Sequence, residues 1–304
     1  MFHVKNVNME KINNCPICDN NSFIDFMRIK DYFLSQEEFT VQECKKCGFR
    51  FVNPRPAPEN LQKYYMSENY ISHSDTKKGI INKAYHFFRN YNLSRKYKYI
   101  SQNIQKGNIL DIGCATAAFL KYCKNKNWNV SGIEPNENAR DFAKKNNGIE
   151  VKSETELKNF ENNFFDVITL WHVLEHVDDL NFYFSEIKRI IKKNGTVFIA
   201  VPNHLSFDAF KYKNYWAAWD VPRHLYHFTQ ESMNNLSKKY DFCVSDIIPM
   251  KLDAFYVSLL SEKYLKGKSN YFSAFITGLK SNIKARKNMN NYSSLIYVLK
   301  NKMT

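Results

Sequence analysis

An α/β fold, with a mostly parallel sheet covered by helices on both faces and a small zinc-ribbon-like module ahead of it, is predicted by three features of the 304-residue sequence. From Asn108 onward, short apolar runs alternate with helical segments. A turn of small residues, Asp111-Ile112-Gly113-Cys114-Ala115-Thr116-Ala117, joins the first of those runs to the first of those helices. Four of the seven cysteines form two C-x2-C pairs near the N-terminus. The length suits two domains, or one large domain with an appendage. An apolar content of 44% is that of a globular chain and excludes a fibrous or disordered one. No stretch reaches the ~18 consecutive apolar residues of a membrane helix, and MFHVKNVNMEKINN lacks the apolar core of a secretory signal. The expectation is a cytoplasmic protein without a transmembrane segment.

The pairs are Cys15-Pro-Ile-Cys18 and Cys44-Lys-Lys-Cys47-Gly48, separated by 25 residues. A C-x2-C turn aims two thiolates at one centre, and two such turns complete the tetrahedron that Zn²⁺ prefers. Gly48 permits the tight backbone after the second pair. The intervening SFIDFMRIKDYFLSQEEFTVQE alternates apolar and polar residues as short strands do. Without a signal peptide a disulfide is disfavoured, and with no open ligand position the ion is structural. It would support about 50 residues too few to build a sufficient core alone. Cys114, Cys123 and Cys243 read as core or loop thiols.

Pro54, Pro56 and Pro58 exclude a helix interior or central strand and mark a boundary, so the first module is placed at residues 1–58. Residues 59–106 read as a helical cap or lead-in, tyrosine-rich, with Ile80, Ile81, Ala84, Phe87, Phe88 and Tyr91 at helical spacing. Residues 107–304 hold the α/β domain. Its strands are NILDI, NVSGI, IEV, FDVITL, TVFIAV and FCVSDI. AFLKYCKNK, ENARDFAKK and LNFYFSEIKRIIKK read as helices between the first five, and ESMNNLSKKY as the helix before the sixth. A seventh candidate, SSLIYVLK, has to return antiparallel. The stretch between the last two strands mixes apolar and basic residues and reads as core-facing helices with a solvated lysine side, which disfavours peripheral membrane contact.

A formal charge of +14 suits an anionic partner. The basic residues are spread along the chain, however, and read as a solvated surface.

Ligands of such sheets bind beyond the carboxyl ends of the strands. There the small-residue turn admits a ligand to the backbone, and Glu134, 23 residues after Asp111, is placed to accept both hydroxyls of a ribose. A dinucleotide needs G-x-G-x-x-G, but these positions are Gly113, Ala115 and Ala118. Asp111 at the strand end repels a pyrophosphate and attracts a cation.

ILDIGCATAAFL, GIEPN, FDVITLWHVLEHVDDL and KKNGTVFIAVPN together resemble the motifs of class I S-adenosylmethionine-dependent methyltransferases, over about Asn108 to Asp246. The resemblance implies a Rossmann-like seven-stranded, mostly parallel sheet with the last strand antiparallel, and S-adenosylmethionine as cofactor. It implies that Asp111, Gly113, Cys114 and Ala115 border the methionine part, that Glu134 holds the ribose, and that Pro135 and Asn136 lie beside the adenine. Trp171 and His172 would close over the sulfonium. Ala115 and Ala117 replace two glycines of the family pattern; if they keep φ negative, the loop is slightly remodelled.

Methyl transfer to a hydroxyl needs an aligned nucleophile and a group to take its proton. The candidates are His172 first, His224 second, then His176 and His227. His172-Val-Leu-Glu175-His176 also matches the H-x-x-E-H zinc-protease signature, which requires one long helix; here the segment directly follows a strand, and that reading is set aside. The acceptor is expected to be a small molecule or a glycan- or nucleotide-sugar-like compound, methylated on oxygen. Two other readings are an RNA or protein methyltransferase holding its polymer with the zinc module and basic surface, and a cofactor-binding module without turnover. Steep salt dependence marks the first of these, cofactor binding without methyl release the second. Oligomeric state is not readable from the sequence.

Overall fold

The computed structural model describes residues 7–65, 92–102, 104–288 and 290–302. The expected helix positions from Ile80 to Tyr91 lie outside the described residues. The centre is a sheet built from β6 (Asn108–Ile112), β7 (Asn129–Ile133), β8 (Phe165–Trp171), β9 (Ile191–Pro202), β11 (Phe242–Pro249) and β12 (Ser294–Asn301), which lie side by side in the order β11-β12-β9-β8-β6-β7. β7, β6, β8 and β9 run parallel, and β12 is antiparallel to both of its neighbours, as expected of the last strand.

Six strands form this sheet, one fewer than predicted. The IEV run at residues 149–151 forms no strand; beside it a single parallel bridge joins Ile133 and Lys152 at the β7 edge. Gly148 at φ +62 bends the chain into this run and a short 3-10 helix (Glu154–Asn159) takes it away, so only Lys152 is held, by Glu134 N–H and Gly132 C=O. The helix before β9 is also shorter than expected. It ends at Ile190, and Ile191 is already extended and pairs with Phe165.

The buried character of the central strands follows from composition. In β8 every residue except Asp166 is buried, because helices cover both faces of a parallel strand. The helix Leu180–Ile190 buries Leu180, Tyr183, Phe184, Ile187 and Ile190 at helical spacing and is started by Asp179, whose carboxylate accepts from the N–H groups of Asn181 and Phe182.

The N-terminal residues form a second, antiparallel sheet, in which β2 (Phe23–Lys30), β3 (Glu38–Cys44) and β4 (Arg50–Val52) are joined by β10 (Tyr226–His227). β10 comes from the loop between β9 and β11, so a strand of the α/β region completes the sheet of the cysteine-rich region. Phe49 and Phe51 pack with Tyr226 and Phe228 in the same core as Leu170 and Val201 of the central sheet. Buried Arg55 donates to Glu10, to the Tyr226 hydroxyl and to the Asp178 carbonyl.

Two helices, Asp253–Lys266 and Tyr271–Lys287, pack against each other between β11 and β12. Their patterning departs from expectation. Small and polar residues such as Ser258, Ser261, Thr277 and Ser281 are buried, whereas Tyr256, Tyr271, Phe272 and Phe275 are exposed. Much of the inner face is held by polar pairing: Ser281 donates to Asp208, and Tyr212 and Ser273 donate to Glu262. No helix among the described residues is long and apolar enough to cross a membrane.

Candidate active site

β6 delivers Asp111 and Gly113 to the carboxyl end of the sheet. Gly113 has φ +68, and a Cβ there would lie 2.4 Å from a Val173 methyl, so both backbone and space require glycine. The N–H groups of Gly113 and Cys114 both donate to the Ile133 carbonyl, pinning the turn to β7. Ala115 and Ala117 stand at φ +48 and +58. The expected remodelling is therefore absent: the alanines adopt the left-handed backbone that glycines adopt freely, at a cost of about 1–2 kcal/mol each.

Glu134 follows β7 and is largely buried. One carboxylate oxygen accepts from Ala115 N–H at 2.9 Å and the other from Asn136 N–H at 3.0 Å, so the side chain is fixed against the turn. Each oxygen retains a lone pair for a further donor. Burial raises its pKa although these bonds oppose the rise. Asn136 caps the following helix (Glu137–Phe142) through Ala139 N–H, and Arg140 donates to the carbonyls of Glu134 and Pro135. Cys114 and Cys123 are buried thiols and Cys243 is exposed.

Asp111 is buried and accepts from Thr169 Oγ1 at 2.6 Å. Burial pushes its pKa up to about 7, against the opposing pull of Thr169 and of the Lys96 ammonium. Lys96, on the helix 92–101, lies 4.8 Å from the centre of the Trp171 ring. Below about pH 7 the Asp111 carboxyl is neutral, and above it charged. A cationic ligand binds the charged form, so its affinity should rise with pH through this range. Between about pH 6 and pH 8 the gain in S-adenosylhomocysteine affinity is expected to approach tenfold. Calorimetry at the two pH values checks this, with Asp111→Asn expected to flatten the curve; a pH-independent affinity in the unsubstituted protein contradicts it.

After Trp171 the chain turns sharply at His172, which has φ +58, and residues 172–178 form no helix. The protease geometry is thus absent. His172 is held on both sides, with Nδ1 3.3 Å from Glu175 Oε1 and Nε2 3.1 Å from Asp253 Oδ2. Burial alone lowers its pKa, but the two carboxylates outweigh that and raise it to about 10. Glu175, 1% exposed, is disfavoured as an anion by burial yet held below the usual carboxylate range by His172.

The loop before β10 comes alongside because Leu225 N–H donates to the Glu175 carbonyl at 2.7 Å. That bond places His224 against His176, with ring centres 4.6 Å apart and nearly perpendicular. His224 Nδ1 faces the Ala218 carbonyl at 2.8 Å, and His176 Nδ1 lies 3.1 Å from the Arg223 carbonyl and 2.9 Å from the Tyr65 hydroxyl. Burial, reinforced by the adjacent His224 ring, lowers His176 to about 4, so that ring is neutral at physiological pH. His227 stacks edge-on to Trp219 and is also depressed by burial.

The four paired cysteines converge as well. All four sulfurs lie within 4.8 Å of one another, with Cys15–Cys47 and Cys18–Cys44 each at 3.6 Å. Thiolates about 2.3 Å from a tetrahedral zinc stand about 3.8 Å apart, so the donor set fits zinc. All four cysteines are free thiols. Asn20 Nδ2 donates to Cys44 Sγ at 3.5 Å, an outer contact of the kind that orients metal ligands.

Sequence reasoning missed Lys96, Thr169 and Asp253. Thr169 is one apolar-run position among several, and Lys96 and Asp253 reach the site from helices outside the motif-bearing strands.

A parallel sheet with Asp111 near the end of its first strand and Glu134 just after its second, around a small-residue turn, is the architecture of a nucleoside-binding α/β domain. A family profile described as a methyltransferase domain matches residues 85–246. The chain belongs to this methyltransferase family. A ubiquinone biosynthesis O-methyltransferase of Pelagibacter ubique is 32% identical over 128 residues, which are 36% of this chain and 52% of that protein. A ubiquinone biosynthesis O-methyltransferase of Rickettsia typhi is 26% identical over 150 residues, 48% of this chain and 61% of that protein. The chain thus spans little more than half the length of these curated relatives. Among solved structures, phosphoethanolamine N-methyltransferase 2 of Haemonchus contortus aligns with a TM-score of 0.51 at 16% identity, covering 93% of this chain and 69% of that one. A cyclopropane synthase of Mycobacterium tuberculosis aligns with a TM-score of 0.51 at 14% identity, covering 81% and 98%. At such identities these two carry the fold alone.

Proposed function

We propose that the protein transfers a methyl group from S-adenosylmethionine to an oxygen of a small molecule, glycan-related compounds included, and that the four-cysteine site holds a structural zinc ion. The observation that carries this reading is the pair of carboxylates around the Gly113 turn: Glu134 for a ribose, Asp111 for a cation. The O-methyltransferases similar to this chain support an oxygen acceptor.

When bound, S-adenosylmethionine supplies a methyl group on a sulfonium centre, and the bonding pair returns to sulfur as the methyl leaves. Glu134 orients the ribose hydroxyls, Asp111 faces the cationic methionine end, and Lys96 is placed for its carboxylate. The acceptor proton goes to an imidazole. His172, the first candidate by sequence, carries a carboxylate on each ring nitrogen and is protonated at neutral pH, which suits positioning over the pocket better than proton abstraction. In His224 the Ala218 carbonyl accepts from Nδ1–H and leaves the Nε2 lone pair to act. His224 is thus the better-placed base.

Glu134→Ala should weaken S-adenosylhomocysteine binding by about 1–3 kcal/mol, the cost of leaving hydrogen-bonding hydroxyls unpaired. Calorimetry reads this directly, and unchanged affinity would place the nucleoside elsewhere. A methyl-release assay across small phenolic and sugar hydroxyl acceptors tests the oxygen reading.

A further inference from the structure

Glu175, His176 and His224 bring one donor atom each within 4.8 Å of one another, in a group separate from the four cysteines. Both rings are oriented by backbone carbonyls, His176 Nδ1 by Arg223 and His224 Nδ1 by Ala218. A carbonyl only accepts, so His224 Nδ1 carries the proton and its Nε2 presents a lone pair; His176 Nδ1 meets the Tyr65 hydroxyl as well as the Arg223 carbonyl, and donation to that carbonyl frees its Nε2 in the same way. Carbonyl-oriented imidazoles of this kind are a regular feature around metal ligands. His224 Nε2 has the Asp220 carboxylate 3.9 Å away, too far for a hydrogen bond.

The independent observation is Glu175. Its Oε1 faces His172, while its Oε2 is buried without a hydrogen-bond partner. An unpartnered buried carboxylate oxygen is costly and calls for a cation or donor. Two imidazoles and a carboxylate form a donor set used by zinc and other first-row divalent ions, with positions left open, whereas magnesium and calcium prefer all-oxygen sites.

We propose that Glu175, His176 and His224 bind a divalent transition-metal ion of the zinc class, with open coordination positions for an acceptor oxygen. Binding of the ion stands apart from the methyltransferase reading; its catalytic use rests on that reading. Held at the ion, an acceptor hydroxyl gives up its proton to solvent more readily. The oxygen lone pair then forms the O–C bond as the C–S bond breaks and its electron pair passes to sulfur. In this arrangement His224 acts as a ligand, and the ion takes over the task assigned above to its free lone pair.

The test is a calorimetric zinc titration of the full chain already loaded with about one equivalent at the cysteine site, with elemental analysis after dialysis. About one further equivalent is expected in the unsubstituted protein. His224→Ala and Glu175→Gln should each lose that equivalent while keeping the first. Absence of a second equivalent in the unsubstituted protein, or its retention in both variants, overturns the proposal. Should His224→Ala fail to fold, Glu175→Gln and the unsubstituted titration decide. S-adenosylhomocysteine calorimetry on the same samples separates the two readings. Nucleoside binding without a second zinc defeats the metal site alone, and a second zinc without nucleoside binding defeats the methyltransferase reading alone.

Discussion

Cys44→Ser should release the N-terminal metal and loosen the sheet around it, with a drop in melting temperature larger than that of any other single substitution at the cysteine site or the nucleoside pocket. Cys44 ends β3 and carries much of the local geometry: its N–H donates to the Phe49 carbonyl and its carbonyl accepts from Gly48 N–H. Zinc contributes on the order of 10 kcal/mol to the folding of isolated finger peptides. Phe49 and Phe51 stay packed on Tyr226 and Phe228 without it, so a loss of roughly 3–6 kcal/mol is expected, below the isolated-finger value. Because Phe51 pairs with Tyr226 and Arg50 with His227, the disturbance should pass through β10 into the loop that carries His224. Methyl transfer should therefore fall further than nucleoside affinity, since Glu134 and Asp111 stand on other strands. Metal analysis, thermal melting and S-adenosylhomocysteine titration of one preparation read all three. A folded, metal-free protein from zinc-depleted medium with an unchanged melting curve would remove the zinc assignment.

What the sequence carried is chemistry that is local in the chain. The cysteine knuckles, the Gly113 turn and the central strands each announce themselves within about ten residues, through spacing or periodicity. The parts it did not carry depend on contacts between distant segments. β10 is two residues long and has no periodicity to read; it exists because Leu225 N–H finds the Glu175 carbonyl and its neighbours find β4. Asp253, which with Glu175 raises the pKa of His172, arrives from a helix eighty-one residues on. The positive φ of Ala115 and Ala117 opposes alanine's own preference, so only the surrounding fold dictates it. The IEV run has strand composition but lacks the length to hold an edge position between two bends.

Arg223→Ala should cost about 3 kcal/mol of stability, and its route to the site runs through the same loop. The guanidinium is 2% exposed. It donates to Asp31 at 2.8 Å, to both oxygens of Asp220 at 2.7 and 3.0 Å, and to the Tyr64 carbonyl at 3.1 Å. Its removal leaves two carboxylates facing a cavity, and breaking a buried pair in this way costs about 3–5 kcal/mol. The lower end applies here. Asp31 keeps donors from Phe33, Leu34 and Ser35, and the Asp220 side chain is 24% exposed. Arg223→Lys restores the charge but not the planar fork that reaches three partners at once, so it should recover only part of the loss. A double cycle with Asp31→Asn separates the pair from the packing, because removing the charge that Arg223 neutralises should shrink the cost of Arg223→Ala by at least about 1 kcal/mol if the ion pair is the cause. Urea unfolding measures each variant. A loss under about 1 kcal/mol for Arg223→Ala would mean that the loop holding His224 beside His176 is fixed by the Leu225–Glu175 backbone bond and by β10 alone, with the buried ion pair a passenger.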